Sequence, residues 1–125
     1  MSLRVLIVED EQIVAADIET KLLRMGHRVI GIAASGEEAI RLAEEGKPEI
    51  VLMDIQLEGE MEGTEAARRI RESTGAQIIF VTAFSWVFLR DPKQMEAPGI
   101  CLTKPFSDAQ VKTALDVVAK SLRTH

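Results

Sequence analysis

The chain has 125 residues, of which 46% are hydrophobic and 28% are charged, and its formal net charge at pH 7 is −5. This size and composition are those of one soluble globular domain, and the negative charge argues against nucleic acid as the main partner, because phosphate backbones are bound by basic surfaces. No apolar stretch approaches the ~20 residues that span a bilayer, and no signal peptide precedes the first apolar run, so we expect a cytoplasmic protein with no membrane partner.

Apolar runs alternate with helical patterns along the whole chain, which is typical of βα units around a parallel sheet. The predicted strands lie at residues 3–8, 28–33, 49–53, 77–81 and 100–103. The predicted helices cover 12–25, 36–46, the region near 64–72, and a final stretch after Ser107. Ser35 with Glu38 and Ser107 with Gln110 have the spacing of capping boxes, which favours helix starts at both places.

Polar groups follow four of the five predicted strands at their carboxyl ends. They are Glu9 and Asp10 after the first strand, Asp54 after the third, Thr82 after the fourth and Lys104 after the fifth. Because ligands of an open parallel sheet bind outside the carboxyl ends of its strands, we expect these groups to meet at one edge. Clustered carboxylates resist ionising together unless a cation lies among them, which predicts a divalent metal ion.

Asp54 is the predicted nucleophile of this group, because a carboxylate can attack phosphorus and form an acyl phosphate. The reaction needs an oxygen-binding cation that neutralises the developing charge, and Mg²⁺ is the expected ion, with Mn²⁺ as an alternative. We predict that Asp10 and Asp54 bind the ion directly. The backbone carbonyl of Gln56 would add a third oxygen, and Glu9 would act through water.

Lys104 and Thr82 complete the predicted site, the first as a charge and the second as a hydrogen-bond donor for a phosphoryl oxygen. Each group also has a simpler explanation. The acidic run 9–11 could favour the start of a helix, Asp54 could end a turn, and Lys104 could be a solvated lysine. A cis peptide bond before Pro105 is a minority expectation. The joint occurrence of these groups at matching strand ends favours the functional interpretation.

On these residues the chain resembles the receiver domains of CheY-like response regulators in two-component signalling. The resemblance covers essentially the whole chain and rests on Val-Glu-Asp-Glu at 8–11, Met-Asp at 53–54, Val-Thr-Ala at 81–83 and Lys-Pro-Phe at 104–106. It implies an α/β, flavodoxin-like (βα)5 fold with a doubly wound, parallel five-stranded sheet in the order 2-1-3-4-5. Residues 1–125 are expected to form a single receiver domain, with no output domain in this chain.

The resemblance also implies roles for the site residues. Asp54 would be the phospho-acceptor, Glu9 and Asp10 the acidic pair, and Thr82 and Lys104 the pair that stabilises the phosphoryl group and switches. The donor would be a sensor histidine kinase, a phosphotransfer protein or a small compound such as acetyl phosphate. The downstream partner would be another protein or an output domain, with a homodimer as a further alternative. Apart from its own phosphorylation and dephosphorylation, such a domain is not an enzyme.

Three features depart from the usual family pattern. Cys101 occupies the position, three residues before Lys104, where the family usually has Tyr or Phe, so the signal would pass mainly through loop and backbone shifts. The loop 57–63 is one residue longer than the common pattern and lacks its proline. Pro92 interrupts the segment 85–98 and would break a helix there, so the fourth helix is predicted to be short or irregular.

Trp86 and Phe88 lie in this interrupted segment, and two interpretations of them stay open. They could form a partner-binding patch, since Trp is enriched at binding hot spots, or they could fold back over the core. Partner binding by a folded Trp86→Ala variant would decide between the two for that residue.

Three other classes of protein compete with this interpretation. The weakest is a flavodoxin-like nucleotide binder, because no glycine-rich phosphate loop follows the first strand. A degenerate receiver that binds partners without phosphorylation stays open because of Cys101 and the irregular fourth helix. A phosphatase with an aspartyl-phosphate intermediate, similar to haloacid dehalogenases, is disfavoured. Those enzymes typically have a second acid two residues after the nucleophile, where this chain has Gln56.

Ala83 and Phe84 would flank the access to the phosphoryl site. Ala83 is small and leaves the acceptor accessible, whereas the apolar Phe84 should hinder an attacking water molecule more than an acidic or amide side chain would. We therefore expect a long-lived phosphoryl group and a faster loss of it in a Phe84→Glu variant, measured as the rate of dephosphorylation. An unchanged rate in that variant would contradict this role of Phe84.

Overall fold

The computed structural model describes residues 2–57, 59, 61–82 and 100–123 of the chain. Its strands are β1 (Arg4–Val8), β2 (Arg28–Ala33), β3 (Ile50–Asp54), β4 (Gln77–Thr82) and β5 (Ile100–Thr103). They form one parallel sheet in the order β2-β1-β3-β4-β5, which confirms the predicted fold. The predicted irregular fourth helix lies outside the described residues, and so do Ala83, Phe84, Trp86 and Phe88.

The described helices are α1 (Gln12–Arg24), α2 (Gly36–Gly46), α3 (Gly63–Thr74) and α4 (Asp108–Arg123). Their bounds agree with the predicted ones to within one or two residues, which is the usual uncertainty at a helix end. Among the described residues, no helix combines the length and the apolar character that crossing a membrane requires.

Two helices begin at the predicted capping boxes. Before α4, the Gln110 N–H donates to Ser107 Oγ at 3.2 Å, and the Ser107 N–H donates to the Gln110 side-chain oxygen at 2.8 Å. Before α2, the Glu38 N–H donates to Ser35 Oγ at 3.2 Å, but the Glu38 carboxylate accepts from the N–H of Ala34 and not from that of Ser35. These bonds satisfy amide groups that the first helical turn leaves unpaired.

Alternate residues of the strands face two apolar layers, one on each side of the sheet. Ile7 and other strand residues pack with Leu22 of α1 and Leu115 of α4 on the first side. Met53 and Phe80 pack with α2 and α3 on the second side. The helix residues buried in this second layer include the alanines Ala39, Ala43, Ala66 and Ala67.

Backbone hydrogen bonds continue past the ends of the strands and align the carboxyl edge of the sheet. The Glu9 N–H donates to the Ala33 carbonyl at 2.9 Å, and the Ile55 N–H donates to the Val81 carbonyl at 3.0 Å. The residues that follow β1 and β3 therefore start from fixed, neighbouring positions.

Two adjacent leucines of α1 provide a test of this packing. Leu22 is fully buried, whereas Leu23 is 56% exposed. We expect Leu22→Ala to lower the free energy of unfolding by about 2–5 kcal/mol, because it leaves a cavity under the sheet. Leu23→Ala should change it by less than about 0.5 kcal/mol. Urea unfolding of both variants measures this, and equal losses would contradict the assignment of α1's buried face.

Candidate functional site

Three carboxylates meet at the carboxyl edge of the sheet. Glu9 and Asp10 follow β1, and Asp54 is the last residue of β3. One oxygen of each carboxylate lies within 4.8 Å of the other two. Glu9 and Asp54 are only 2% and 5% exposed, while Asp10 is half-buried. Negative charges this close together and away from water repel each other and disfavour joint ionisation.

An ammonium group faces both buried carboxylates. Lys104 follows β5, and its Nζ lies 2.6 Å from Glu9 Oε1 and 3.3 Å from Asp54 Oδ2. The Lys104 side chain is itself only 19% exposed. Because attraction between charges is stronger where water is excluded, this ammonium offsets part of the repulsion between Glu9 and Asp54.

The ionisation of Glu9 and Lys104 reflects this crowding. Burial, followed by the neighbouring Asp54 carboxylate, raises the pKa of Glu9 to about 8, and Lys104 opposes this only in part. Burial also disfavours the charge on Lys104, but its hydrogen bond with Glu9 and the nearby charge of Asp54 outweigh that effect and raise the pKa of the ammonium. Lys104 is therefore charged at neutral pH, and Glu9 readily accepts a proton when no cation is bound.

The turn after Asp54 is held by two hydrogen bonds. The Gln56 N–H donates to Asp54 Oδ1 at 3.0 Å, and the N–H of Gly63, at the start of α3, donates to the Ile55 carbonyl at 3.3 Å. With Lys104 on Oδ2, each oxygen of the Asp54 carboxylate has a donor. The orientation of this carboxylate is thus fixed from the backbone on one side and from Lys104 on the other.

The structure brings together four of the predicted site residues, namely Glu9, Asp10, Asp54 and Lys104. The backbone of Thr82 ends β4 and pairs with Thr103 of β5, but its side chain lies outside the described part. The peptide bond between Lys104 and Pro105 is cis, the minority form that the sequence left open. The roles of these residues, including that of the Gln56 carbonyl, stay predictions.

Cys101 packs in the layer that contains α2 and α3. It is half-buried and lies opposite Phe80 of β4 in the sheet register. Burial raises the pKa of its thiol, so the side chain is a neutral, small group at neutral pH. This position therefore offers no long side chain that could change rotamer.

The donor set fits a hard divalent cation. Carboxylate oxygens are ligands that Mg²⁺ and Mn²⁺ prefer, and three of them are close enough to share one ion. Glu9 Oε2 is buried and has no hydrogen-bond partner among the described residues. A cation beside it would satisfy this oxygen and reduce the repulsion between the carboxylates.

Gly63 belongs to the site, although in the sequence it is recognisable only as the end of the loop 57–63. A Cβ at this position would clash with the Asp54 carbonyl oxygen and lie 3.0 Å from both the Asp54 carbonyl carbon and the Ile55 Cα. The local sign of this in the sequence is a glycine directly before the helix predicted near 64–72. The close approach of two backbones itself is visible only in three dimensions.

The sequence matches the family model of the response regulator receiver domain over residues 5–116. It is 34% identical to the phyllosphere-induced regulator PhyR of Methylorubrum extorquens over 116 residues, which are 92% of this chain and 43% of PhyR. It is also 34% identical to the transcriptional regulatory protein PdtaR of Mycobacterium tuberculosis over 120 residues, which are 96% of this chain and 58% of PdtaR. The chain thus spans about half the length of the curated relatives it matches.

The crystal structure of the anti-anti-sigma factor PhyR from Bartonella quintana is similar to this fold with a TM-score of 0.86. The two sequences are 32% identical, and the match covers 99% of this chain and 50% of that one. The similarity therefore extends over the whole sheet and the site at its carboxyl edge.

The raised pKa of Glu9 predicts how stability depends on pH in the absence of metal. With a pKa of about 8 in the folded protein against an ordinary 4.5, the folded state binds the proton more tightly than the unfolded state does. This contribution to stability is complete below pH 4.5 and is lost as the pH rises through 8. In Glu9→Gln the loss should be absent, because the amide does not titrate.

Urea unfolding in the presence of a chelator, over that pH range, measures the difference in the free energy of unfolding between the wild type and Glu9→Gln. Groups far from the site titrate alike in both proteins, so the difference reports Glu9 together with its effect on Asp54 and Lys104. Glu72→Gln is the matched control, since the Glu72 side chain is 67% exposed, and it should follow the wild type. If the free energies of unfolding of the wild type and Glu9→Gln changed with pH in parallel, the raised pKa of Glu9 would be contradicted.

Proposed function

Because this chain belongs to the family of response regulator receiver domains, we propose that it is a phosphorylation-dependent switch of a two-component system with Asp54 as the phospho-acceptor. The observation that supports this best is the burial of Asp54 beside Glu9, with Lys104 Nζ only 3.3 Å from its carboxylate. A buried carboxylate with an ammonium and further acidic groups around it is suited to phosphoryl transfer.

In this proposal Asp54 is the nucleophile. One of its carboxylate oxygens forms a bond to phosphorus while the bond from phosphorus to the donor atom breaks, and the donor leaves with the electron pair. Mg²⁺, held by Asp10, Asp54 and the Gln56 carbonyl and by Glu9 through water, would neutralise charge on the phosphoryl oxygens. Lys104, already at the carboxylate, would transfer its hydrogen bond to a phosphoryl oxygen, and the Thr82 hydroxyl would donate a second one.

We further propose that the donor is a sensor histidine kinase or a phosphotransfer protein in the cytoplasm. The similar PdtaR is a transcriptional regulatory protein, and the similar PhyR of Bartonella quintana is an anti-anti-sigma factor. By analogy, the partner or output domain of this chain would act in the control of gene expression. A homodimer is the alternative partner.

A second candidate is a receiver that binds its partner without phosphorylation. The packing of Cys101 favours it, because a half-buried thiol beside Phe80 replaces the aromatic side chain that the family usually couples to the phosphoryl site. The two candidates differ in whether Asp54 reacts.

Intact-mass spectrometry after treatment with acetyl phosphate and Mg²⁺ tests the first candidate. We expect a mass gain of one phosphoryl group in the wild type and none in Asp54→Asn, which lacks the nucleophilic oxygen pair. Asp116→Asn is the matched control, since Asp116 is exposed and pairs with Lys112 on α4, and it should gain the same mass as the wild type. Chelating the metal should abolish the gain in both.

An equal mass gain in the wild type and Asp54→Asn would contradict Asp54 as the acceptor. No gain in any protein, with metal binding established separately, would leave an obligatory kinase donor or the second candidate. Beryllofluoride, which occupies the acceptor without a donor, separates these two. Its binding would indicate an obligatory kinase, and its failure to bind would favour the phosphorylation-independent module.

A further inference from the structure

Gly63 brings the first turn of α3 into direct contact with the end of β3. A Cβ added there would lie closer to the Asp54 carbonyl oxygen than real Cβ atoms ever come, and it would press on the Ile55 Cα at 3.0 Å. The atoms it would meet are backbone atoms, so no side chain could rotate out of the way. At Gly46, by contrast, the atom that a Cβ would meet most closely is the far end of the Ile30 side chain.

Neither the end of β3 nor the first turn of α3 can easily move away from this contact. The end of β3 is held by its ladder to β4, in which Asp54 pairs with Val81 and the Ile55 N–H donates to the Val81 carbonyl. α3 is held against the sheet by residues that are almost completely buried, namely Ala66, Ala67 and Ile70. A side chain at position 63 would therefore have to displace the turn that begins at Ile55.

That turn also orients the Asp54 carboxylate. The Gln56 N–H donates to Asp54 Oδ1 at 3.0 Å, and the Gly63 N–H closes the turn on the Ile55 carbonyl. A shift of Ile55 would move Gln56 with it and would remove the donor from Oδ1. Of the two donors to the Asp54 carboxylate named above, only the Lys104 ammonium would then remain.

We propose that Gly63 is a positioning residue, whose missing side chain lets α3 fix the turn that aims Asp54 at the metal and the phosphoryl group. The statement that Gly63 positions Asp54 for metal and phosphoryl binding rests on the proposed function. The effect of Gly63 on the Gln56 amide does not depend on that function. Gly63 acts through the backbone and does not itself contact the reacting atoms.

The test compares Gly63→Ala with Gly75→Ala, at the two ends of the same helix. Gly75 ends α3 with φ +77°, and a Cβ there meets nothing within 4 Å. Gly75→Ala therefore lowers stability through backbone strain alone, without touching the site. The measurements are the dissociation constant for Mg²⁺ alone, by titration calorimetry, and the hydrogen-exchange rate of the Gln56 amide.

In Gly63→Ala we expect Mg²⁺ to bind at least about tenfold more weakly, as is usual when the support of a metal ligand is disturbed, and the Gln56 amide to exchange faster. In Gly75→Ala both quantities should stay at their wild-type values. A folded Gly63→Ala that matches Gly75→Ala in both measurements would overturn the proposal. If the wild type itself bound no Mg²⁺, the proposed function would fail, and the exchange of the Gln56 amide alone would decide the positioning.

Should Gly63→Ala not fold, the wild type supplies the decisive measurement. In a Mg²⁺ titration followed by NMR, the amide signals of Gly63 and Gln56 should shift with the same midpoint, while that of Gly75 stays fixed. A Gly63 signal that does not move while that of Gln56 does would overturn the proposal.

Discussion

The burial of Glu9 and Asp54 around a single lysine is the constraint on which the site depends. Two carboxylates that are almost completely removed from water share the Lys104 ammonium, at 2.6 Å and 3.3 Å, and Asp10 adds a third acid at the rim. Such a cluster does little for stability, because the desolvation of charges is rarely repaid in full. It holds a poorly satisfied oxygen, Glu9 Oε2, and is therefore prepared for a cation that the fold itself does not supply.

The two sides of the sheet serve this site differently. On one side, large residues such as Leu22 of α1 and Leu115 of α4 fill the space against the strands. On the other side, the buried residues of α2 and α3 are mainly alanines, although α1 and α4 also bury alanines on the first side. The start of α3 meets the backbone of Asp54 directly at Gly63, and this contact restricts the residue there to glycine. The packing of α3 on the sheet and the geometry at Asp54 are therefore connected through Gly63.

Much of the fold could be predicted from the sequence, because the signals are local. Continuous apolar runs indicate buried parallel strands, and the pairs Ser35–Glu38 and Ser107–Gln110 mark helix starts through side chains that bond their own backbone. The carboxylates could also be predicted as a group, since the ends of parallel strands share an edge.

The rest of the site depends on distances between segments far apart in the chain. Lys104 is 95 residues from Glu9, and no local pattern indicates that its closest partner is Glu9 rather than Asp54. The depth of Glu9, and with it the direction of its pKa shift, follows from the ladder bond to Ala33 and from the layers on both sides. The role of Gly63 is harder still to predict from the sequence, because a residue without a side chain carries no functional group that would indicate its role.

Cys101 limits the ways in which a conformational change at Asp54 could be transmitted to the rest of the domain. In the family the aromatic side chain at this position usually responds to the threonine of the switch pair, but a half-buried thiol opposite Phe80 is too short for such a movement. Lys104, in contrast, connects the carboxylates to the chain that leads into α4. At the first turn of that helix Asp108 lies 3.9 Å from Lys21 and 3.6 Å from Arg24, both on α1. Lys104 is thus joined to the start of α4 through Pro105 and Phe106, and α4 is joined to α1 by the ion pairs of Asp108.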